Sequence, residues 1–218
     1  MRSIFTVLIF SLLTLTVSAQ SISDMITTYR ADHGALDRKY SVQPSDEYFE
    51  RFDRFYAEWL AELEAMNFDA LSHPEQVDYL LFRNDLERSF YFLNAEHNRF
   101  NNITRYLPAK DEIMLFINQR RVGSSMDGKV VAGRFNEWEK EIQAKKEVLK
   151  SGGVLAKREA AYLSDTIEEL NDAIEEACKF YNGYDPDFTW WVEEPFKRLN
   201  DSLKTYADFA GKHFDSEK

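Results

Sequence analysis

The sequence is poor in the residues that crosslink a chain or hold a metal ion: one cysteine and four histidines among 218 residues. A single cysteine excludes an intramolecular disulfide, so the fold must rest on side-chain packing. No two histidines stand four residues apart, and none has a glutamate three residues before it. These spacings exclude the helical zinc-peptidase motif and the di-iron motif. We therefore expect the histidines to be surface or capping residues, and we expect no metal or cofactor in this chain.

Long apolar runs are also missing, except at the amino terminus. Arg2 precedes an apolar stretch that ends in a small-x-small cleavage signature at Ala19. This pattern predicts a signal peptide over residues 1–19 and an exported protein, either periplasmic or extracellular. Because no later run reaches about 18 apolar residues, no membrane span is predicted in residues 20–218. Gln20 stands where a lipoprotein would need cysteine, so a lipid anchor is not expected.

Positive charge is in the minority, with 27 basic residues against 38 acidic ones and a net charge of −11. Loss of the predicted signal peptide, which carries Arg2, makes the chain one unit more negative. Such a charge repels nucleic acid and anionic lipid, so neither is an expected partner. Carboxylate pairs such as Glu58 and Glu62 are expected to lie on solvated helix faces.

Aromatic residues are abundant, with 17 Phe, 11 Tyr and 4 Trp, and they recur with aliphatic residues at three- and four-residue steps. This periodicity predicts amphipathic helices. Helices are predicted over residues 46–66, 74–94, 113–117, 131–149, 163–181 and 196–210. Residues 20–218 are therefore expected to form one all-α domain, an irregular bundle of about six or seven helices. Cys178 lies between apolar neighbours one turn away, which indicates a small core residue rather than a nucleophile.

The stretch "LSHPEQVDYLLFRNDLERSF", residues 71–90, begins with a capping box, Ser72 and Glu75. On a helix its apolar residues form two stripes, which predicts a central helix that is covered on two faces. Asn84 and Arg88 fall inside one stripe and need polar partners if they are buried. One interpretation is a polar pocket that includes Asp85, and the other is an internal polar network that fixes helix register.

Two further stretches invite functional interpretations. The loop "GSSMDGKV", residues 123–130, resembles a phosphate loop, but Val130 supplies no hydroxyl for magnesium, and Asp127 breaks the nucleophile-elbow pattern. A polar turn between helices is the better interpretation. The stretch "YDPDFTWWVEEPF", residues 184–196, is expected to bury Trp190 and Trp191 in a long connection against the bundle. Exposed, the same side chains would stack on sugar rings or anchor a peptide.

Four features of the sequence occur together: the signal peptide, an aromatic helix, and the segments "LSHPEQVDYLLFRNDLE", which follows that helix, and "WWVEEPFKRLNDSLKTYADFAGKHF". Together they resemble the amino-terminal region of a family of exported bacterial proteins, domain of unknown function 885. Full-length members of that family are similar to helical zinc metallopeptidases and carry the histidine–glutamate metal motif further downstream. The resemblance therefore implies zinc only in a full-length relative and carries no catalytic residue over to this chain. It implies that these helices form one wall of a substrate channel, against a carboxy-terminal part that this chain lacks.

Three functions follow as expectations. The first is an amino-terminal scaffold or channel wall of a metallopeptidase-like protein, which is not catalytic by itself. The second is an independent periplasmic helical module that binds a peptide, a glycan or a partner protein through Trp190 and Trp191. The third is a self-associating bundle.

Overall fold

The computed structural model describes residues 21–214, apart from positions 41, 43 and 153. The predicted signal peptide, residues 1–19, lies outside this described part. Within it the chain forms seven α-helices and no strand, so the predicted all-α bundle of six or seven helices is confirmed. The helices are α1 (Ile22–Lys39), α2 (Asp46–Glu64), α3 (His73–Ile103), α4 (Lys110–Arg121), α5 (Gly128–Ser151), α6 (Lys157–Asn182) and α7 (Pro186–Lys212).

The helices form two packed groups that α3 connects. In the amino-terminal group, α1 and α2 both pack against α3. In the carboxy-terminal group, α7 packs along α5 and α6, while α4 packs on α6. The far end of α3 contacts α6, and the short 3-10 turn Thr104–Tyr106 contacts both α3 and α5. The end of α3 thus joins the two halves of the bundle.

The start of α3 has the predicted capping box. The backbone N–H of Ser72 donates to Glu75 Oε2 at 2.9 Å, and the Ser72 hydroxyl donates to the same oxygen at 2.6 Å. These hydrogen bonds hold the pKa of Glu75 below its ordinary value. The helix continues beyond the predicted end at Asn94, because the buried residues Phe100 and Ile103 extend its inner apolar stripe.

Aromatic rings fill the space between α1, α2 and α3. The ring of Tyr29 on α1 lies 5.5 Å from that of Phe55 on α2 and 5.0 Å from that of Phe82 on α3. Each such pair contributes about 0.5–1.5 kcal/mol beyond its buried area. The carboxy-terminal group also has a large aromatic residue in its core, Trp138. Its indole N–H donates to Glu112 Oε2 at 2.8 Å.

The loop that resembles a phosphate loop is a polar turn, as predicted. Gly123 has a φ of 69°, the left-handed conformation that glycine adopts most readily after a helix end. Asp127 then caps α5, with its Oδ1 accepting from the backbone N–H groups of Lys129 and Val130. A bound phosphate would need those same N–H groups, so the carboxylate already occupies the position of the anion.

A close approach of α5 to α7 depends on Gly128. A Cβ at this position would lie 2.7 Å from the backbone Cα of Phe188, a distance that the backbone of α7 cannot relieve without moving. Gly133, in the same helix, is exposed and has open space where a Cβ would stand. The two glycines therefore form a matched pair in one helix.

Gly128→Ala should lower the free energy of unfolding by about 1–3 kcal/mol, because the added methyl overpacks the α5–α7 contact. Gly133→Ala should raise it by about 0.5–1 kcal/mol, since alanine loses less backbone entropy than glycine in a helix. Urea unfolding followed by circular dichroism measures both values. Equal effects of the two substitutions would contradict the close approach.

Candidate functional site

The expectation that α3 is covered on two faces is wrong in the described part of the chain. The inner stripe, which includes Phe82, Leu86 and Leu93, is buried against the other helices. The second stripe lies in solvent, and its large apolar side chains are 45–70% exposed. We call this second stripe the outer face of α3; it consists of Val77, Leu80, Leu81, Asn84, Arg88, Tyr91 and Phe92.

Asn84 and Arg88 therefore form neither a buried polar pocket nor an internal polar network. Both side chains are exposed on the outer face, and Arg88 Nη2 donates to Asp85 Oδ1 at 2.9 Å. The pair is a surface ion pair one turn apart, which stabilises the helix by a few tenths of a kcal/mol at most. The structure brings Asp85 and Arg88 together, as the sequence suggested, but in water rather than inside the bundle.

Two hollows lie along one edge of the outer face. One, of about 330 Å³, has Ile26, Tyr29 and Leu81 among its lining residues, with Asp78 and Asp85 on its α3 side. The other, of about 390 Å³, lies along residues 88–96 of α3 and reaches Tyr48 and Tyr56 of α2. Both lie where α3 meets the helices that cover its inner stripe.

The predicted burial of Trp190 and Trp191 is also wrong. Trp190 is 73% exposed and Trp191 39% exposed. The segment is not a long connection, because α7 begins at Pro186 with Asp185 as its cap. Phe188 and Val192, one turn apart, are fully buried, so the helix turns the two tryptophans between them outward.

An open groove of about 450 Å³ lies at the turn between α6 and α7. We call it the tryptophan groove. Two aromatic side chains line it, Trp190 and Tyr184, and Tyr184 is 85% exposed. The ring of Trp190 meets that of Trp191 edge-on at 4.7 Å between centroids. The remaining lining residues are Asn182, Gly183, Asp185, Pro186, Thr189 and Glu193.

The groove is rigid at its base and acidic at its rim. Asp185 Oδ1 accepts from the N–H groups of Asp187 and Phe188, at 3.0 and 3.1 Å. The Thr189 hydroxyl donates to the carbonyls of Asn182 and Asp185, at 3.1 and 2.9 Å. Among the described lining residues, Asp185 and Glu193 are acidic and none is basic. The walls are thus already formed, and their charge favours a cation.

One polar array was not foreseen from the sequence. His33 on α1 lies 2.9 Å from Asp37 through Nδ1 and 3.0 Å from the Tyr56 hydroxyl through Nε2. The order carboxylate, imidazole, hydroxyl is that of a hydrolase triad. Burial raises the pKa of Tyr56 to about 12, and the array ties α1 to α2. The spacing of His33 and Asp37, four residues apart on one helix, could have predicted their contact from the sequence.

The other residues weighed from the sequence have structural roles. His97 stacks on Phe49 with 4.5 Å between ring centroids, so it is not simply a surface residue. Cys178 is buried, as predicted, and burial raises the pKa of its thiol. Within the described ranges, no three His, Cys, Asp or Glu side chains are arranged to hold a metal ion. No helix in those ranges is long and apolar enough to cross a membrane.

In comparisons with known proteins, no protein-family model, no curated protein and no solved structure matches the chain. The resemblance to domain of unknown function 885 therefore stays a prediction based on the quoted segments.

Acrylamide quenching should divide the four tryptophans into two pairs. Trp59 and Trp138 are buried, whereas Trp190 and Trp191 are exposed, so the wild-type emission should contain one accessible and one protected fraction. Replacing both Trp190 and Trp191 by phenylalanine should remove the accessible fraction and shift the remaining emission to the blue. A double variant that is quenched as strongly as the wild type would show that the exposed indoles lie elsewhere.

Proposed function

We propose that the protein is an exported helical module that binds a peptide, and that the tryptophan groove takes a cationic side chain of that peptide. The observation that carries the proposal is the exposed indole of Trp190 in a preformed groove lined by Asp185 and Glu193. Large exposed aromatics in a concave site are typical of binding surfaces. A lysine or arginine side chain matches both the ring faces and the carboxylates.

Two attractive terms favour a cation in this groove. A cation over an indole face gains about 0.5–1 kcal/mol at an exposed site and about 2 kcal/mol where water is excluded. A carboxylate that accepts from the same cation adds a charge-assisted hydrogen bond. The excess of acidic residues in the chain also attracts a basic peptide over longer distances.

A contact of Lys129 supports the preference for a cation. Its Nζ lies 5.5 Å from the ring centre of Trp191, the less exposed member of the tryptophan pair. Lys129 does not line the groove, so it leaves the ring of Trp190 open to a ligand. A neutral sugar could stack on the same ring. Binding of a cationic side chain depends on the carboxylates of the groove, whereas stacking of a neutral sugar does not.

The second candidate function is the amino-terminal scaffold or channel wall of a metallopeptidase-like protein. The observation that favours it is the outer face of α3, which a larger assembly would cover. In this proposal the zinc and the catalytic residues belong to a full-length relative and not to this chain.

Tetralysine amide should quench the emission of Trp190 and bind more weakly as salt is added, because exposed charges are screened. Trp190→Ala should lower the affinity roughly 2- to 30-fold, the range that the cation–π energies give. Glu193→Gln should also weaken binding, since it keeps the shape of the groove and removes a charge. Fluorescence titration measures binding to the wild type and to Glu193→Gln, and isothermal titration calorimetry measures binding to Trp190→Ala, which lacks the reporting indole.

Tyr91→Ala serves as the matched control, because it removes an equally exposed aromatic ring from α3, outside the groove. Its affinity for tetralysine amide should equal that of the wild type. If a neutral oligosaccharide binds equally well to the wild type and to Glu193→Gln, the ligand of the groove is a glycan and not a peptide. Failure of both probes to change the emission would contradict a binding role for the groove.

The scaffold candidate has a separate test. The isolated chain should purify without stoichiometric zinc and should not hydrolyse peptides, whereas a version extended into a histidine–glutamate motif should gain both properties. Metal analysis by mass spectrometry and a dipeptide hydrolysis assay measure the outcome. Tightly bound zinc in the isolated chain would contradict the assignment of the metal to another part of the protein.

A further inference from the structure

The outer face of α3 has the spacing of a coiled-coil seam. Its central residues advance by alternating steps of four and three, and all of them are exposed. Extended by one step to Ala95, the seam consists of Val77, Leu81, Asn84, Arg88, Tyr91 and Ala95. A surface helix that contacts only water has no need of such a repeat, whereas a helix that packs against another helix does.

Two copies of the seam are complementary when their helices run in opposite directions. In an antiparallel pair centred at the level of residue 86, the pair Leu80–Leu81 of one copy lies level with Tyr91–Phe92 of the other. Asn84 lies level with Arg88 of the second copy, and Asp85 lies one residue further along. Apolar side chains therefore meet apolar ones, and each guanidinium meets an amide and a carboxylate.

A parallel pair lacks this match. It would place Arg88 beside Arg88 of the second copy, so like charges would oppose each other in the middle of the seam. The positions of Asn84 and Arg88 therefore specify a direction as well as a partner.

The hollow beside the seam fits the same arrangement. Phe92 of the second copy lies level with residue 80, next to the hollow that is lined by Ile26, Tyr29 and Leu81. This hollow has room for an aromatic ring, since its volume is about 330 Å³. An aromatic side chain that enters a pocket on the partner is the usual anchor of an interface.

We propose that a second copy of this chain covers the outer face of α3, in an antiparallel two-fold pair with Phe92 as the anchor. The proposal is independent of the tryptophan groove, which lies on α6 and α7. The seam from Val77 to Ala95 is about 27 Å long, at 1.5 Å per residue. One helix face of that length makes a small interface, of the size found in weak and transient complexes, so we expect a dissociation constant in the micromolar range.

Sedimentation equilibrium from low to high micromolar concentration should show a monomer–dimer equilibrium. Phe92→Glu and Leu81→Glu should each raise the dimer dissociation constant at least 100-fold while circular dichroism stays unchanged, since both side chains are exposed. Val148→Glu, at an exposed apolar position on α5, is the matched control and should leave the equilibrium unchanged. A wild-type chain that stays monomeric, or glutamate variants that still dimerise, would overturn the proposal.

Two variants test the direction of pairing. Arg88→Asp should weaken the dimer, and the double variant Asp85→Arg, Arg88→Asp should restore it, because the swap recreates the opposite charges across the seam. A spin label on Asn98→Cys should report roughly 35–40 Å between copies in the antiparallel pair, because position 98 lies level with position 74 of the second copy. A distance near 10 Å, which parallel helices would give, or no rescue by the charge swap, would overturn the antiparallel arrangement.

Discussion

The rotation of about 100° per residue in an α-helix is the constraint on which both exposed surfaces depend. Because α3 buries Phe82, Leu86 and Leu93 against its neighbours, its other apolar stripe points away from them, and it lies in solvent. In the same way, α7 buries Phe188 and Val192, and Trp190 is carried outward between them. Neither surface can be hidden by a local rearrangement, since the side chains that hold each helix in place also determine what it exposes.

The interior explains how the fold tolerates so much exposed apolar area without a disulfide. The core is dominated by aromatic and large aliphatic side chains, which bury more area per residue than small ones. Polar groups at the core are mostly tied to a partner, as where the Tyr206 hydroxyl donates to the carbonyl of Tyr106 at 2.8 Å. The outer face of α3 and the tryptophan groove are therefore additions to a fold that is already stabilised elsewhere.

Local patterns predicted where helices occur, and tertiary position decided which of their faces are covered. The capping box of Ser72 and the apolar periodicities were sufficient for α2 to α7. The start of α7 was missed, although Asp185 before Pro186 is a strong cap signal. Helix α1 was not predicted, because its buried residues Ile22, Met25 and Tyr29 are too few to form a recognisable apolar periodicity. Whether a second apolar stripe meets a neighbour depends on the placement of other helices, which one helix sequence does not contain.

The polar residues on the outer face of α3 have a different role from the one expected from the sequence. Inside a bundle, Asn84 and Arg88 would need partners to offset the loss of water. In solvent they interrupt what would otherwise be a continuous apolar stripe, and so they oppose indiscriminate association. They also penalise every register in which a guanidinium meets leucine or another guanidinium, because the charge would lose water without gaining a partner. In the proposed antiparallel pair, these penalties leave one favourable register.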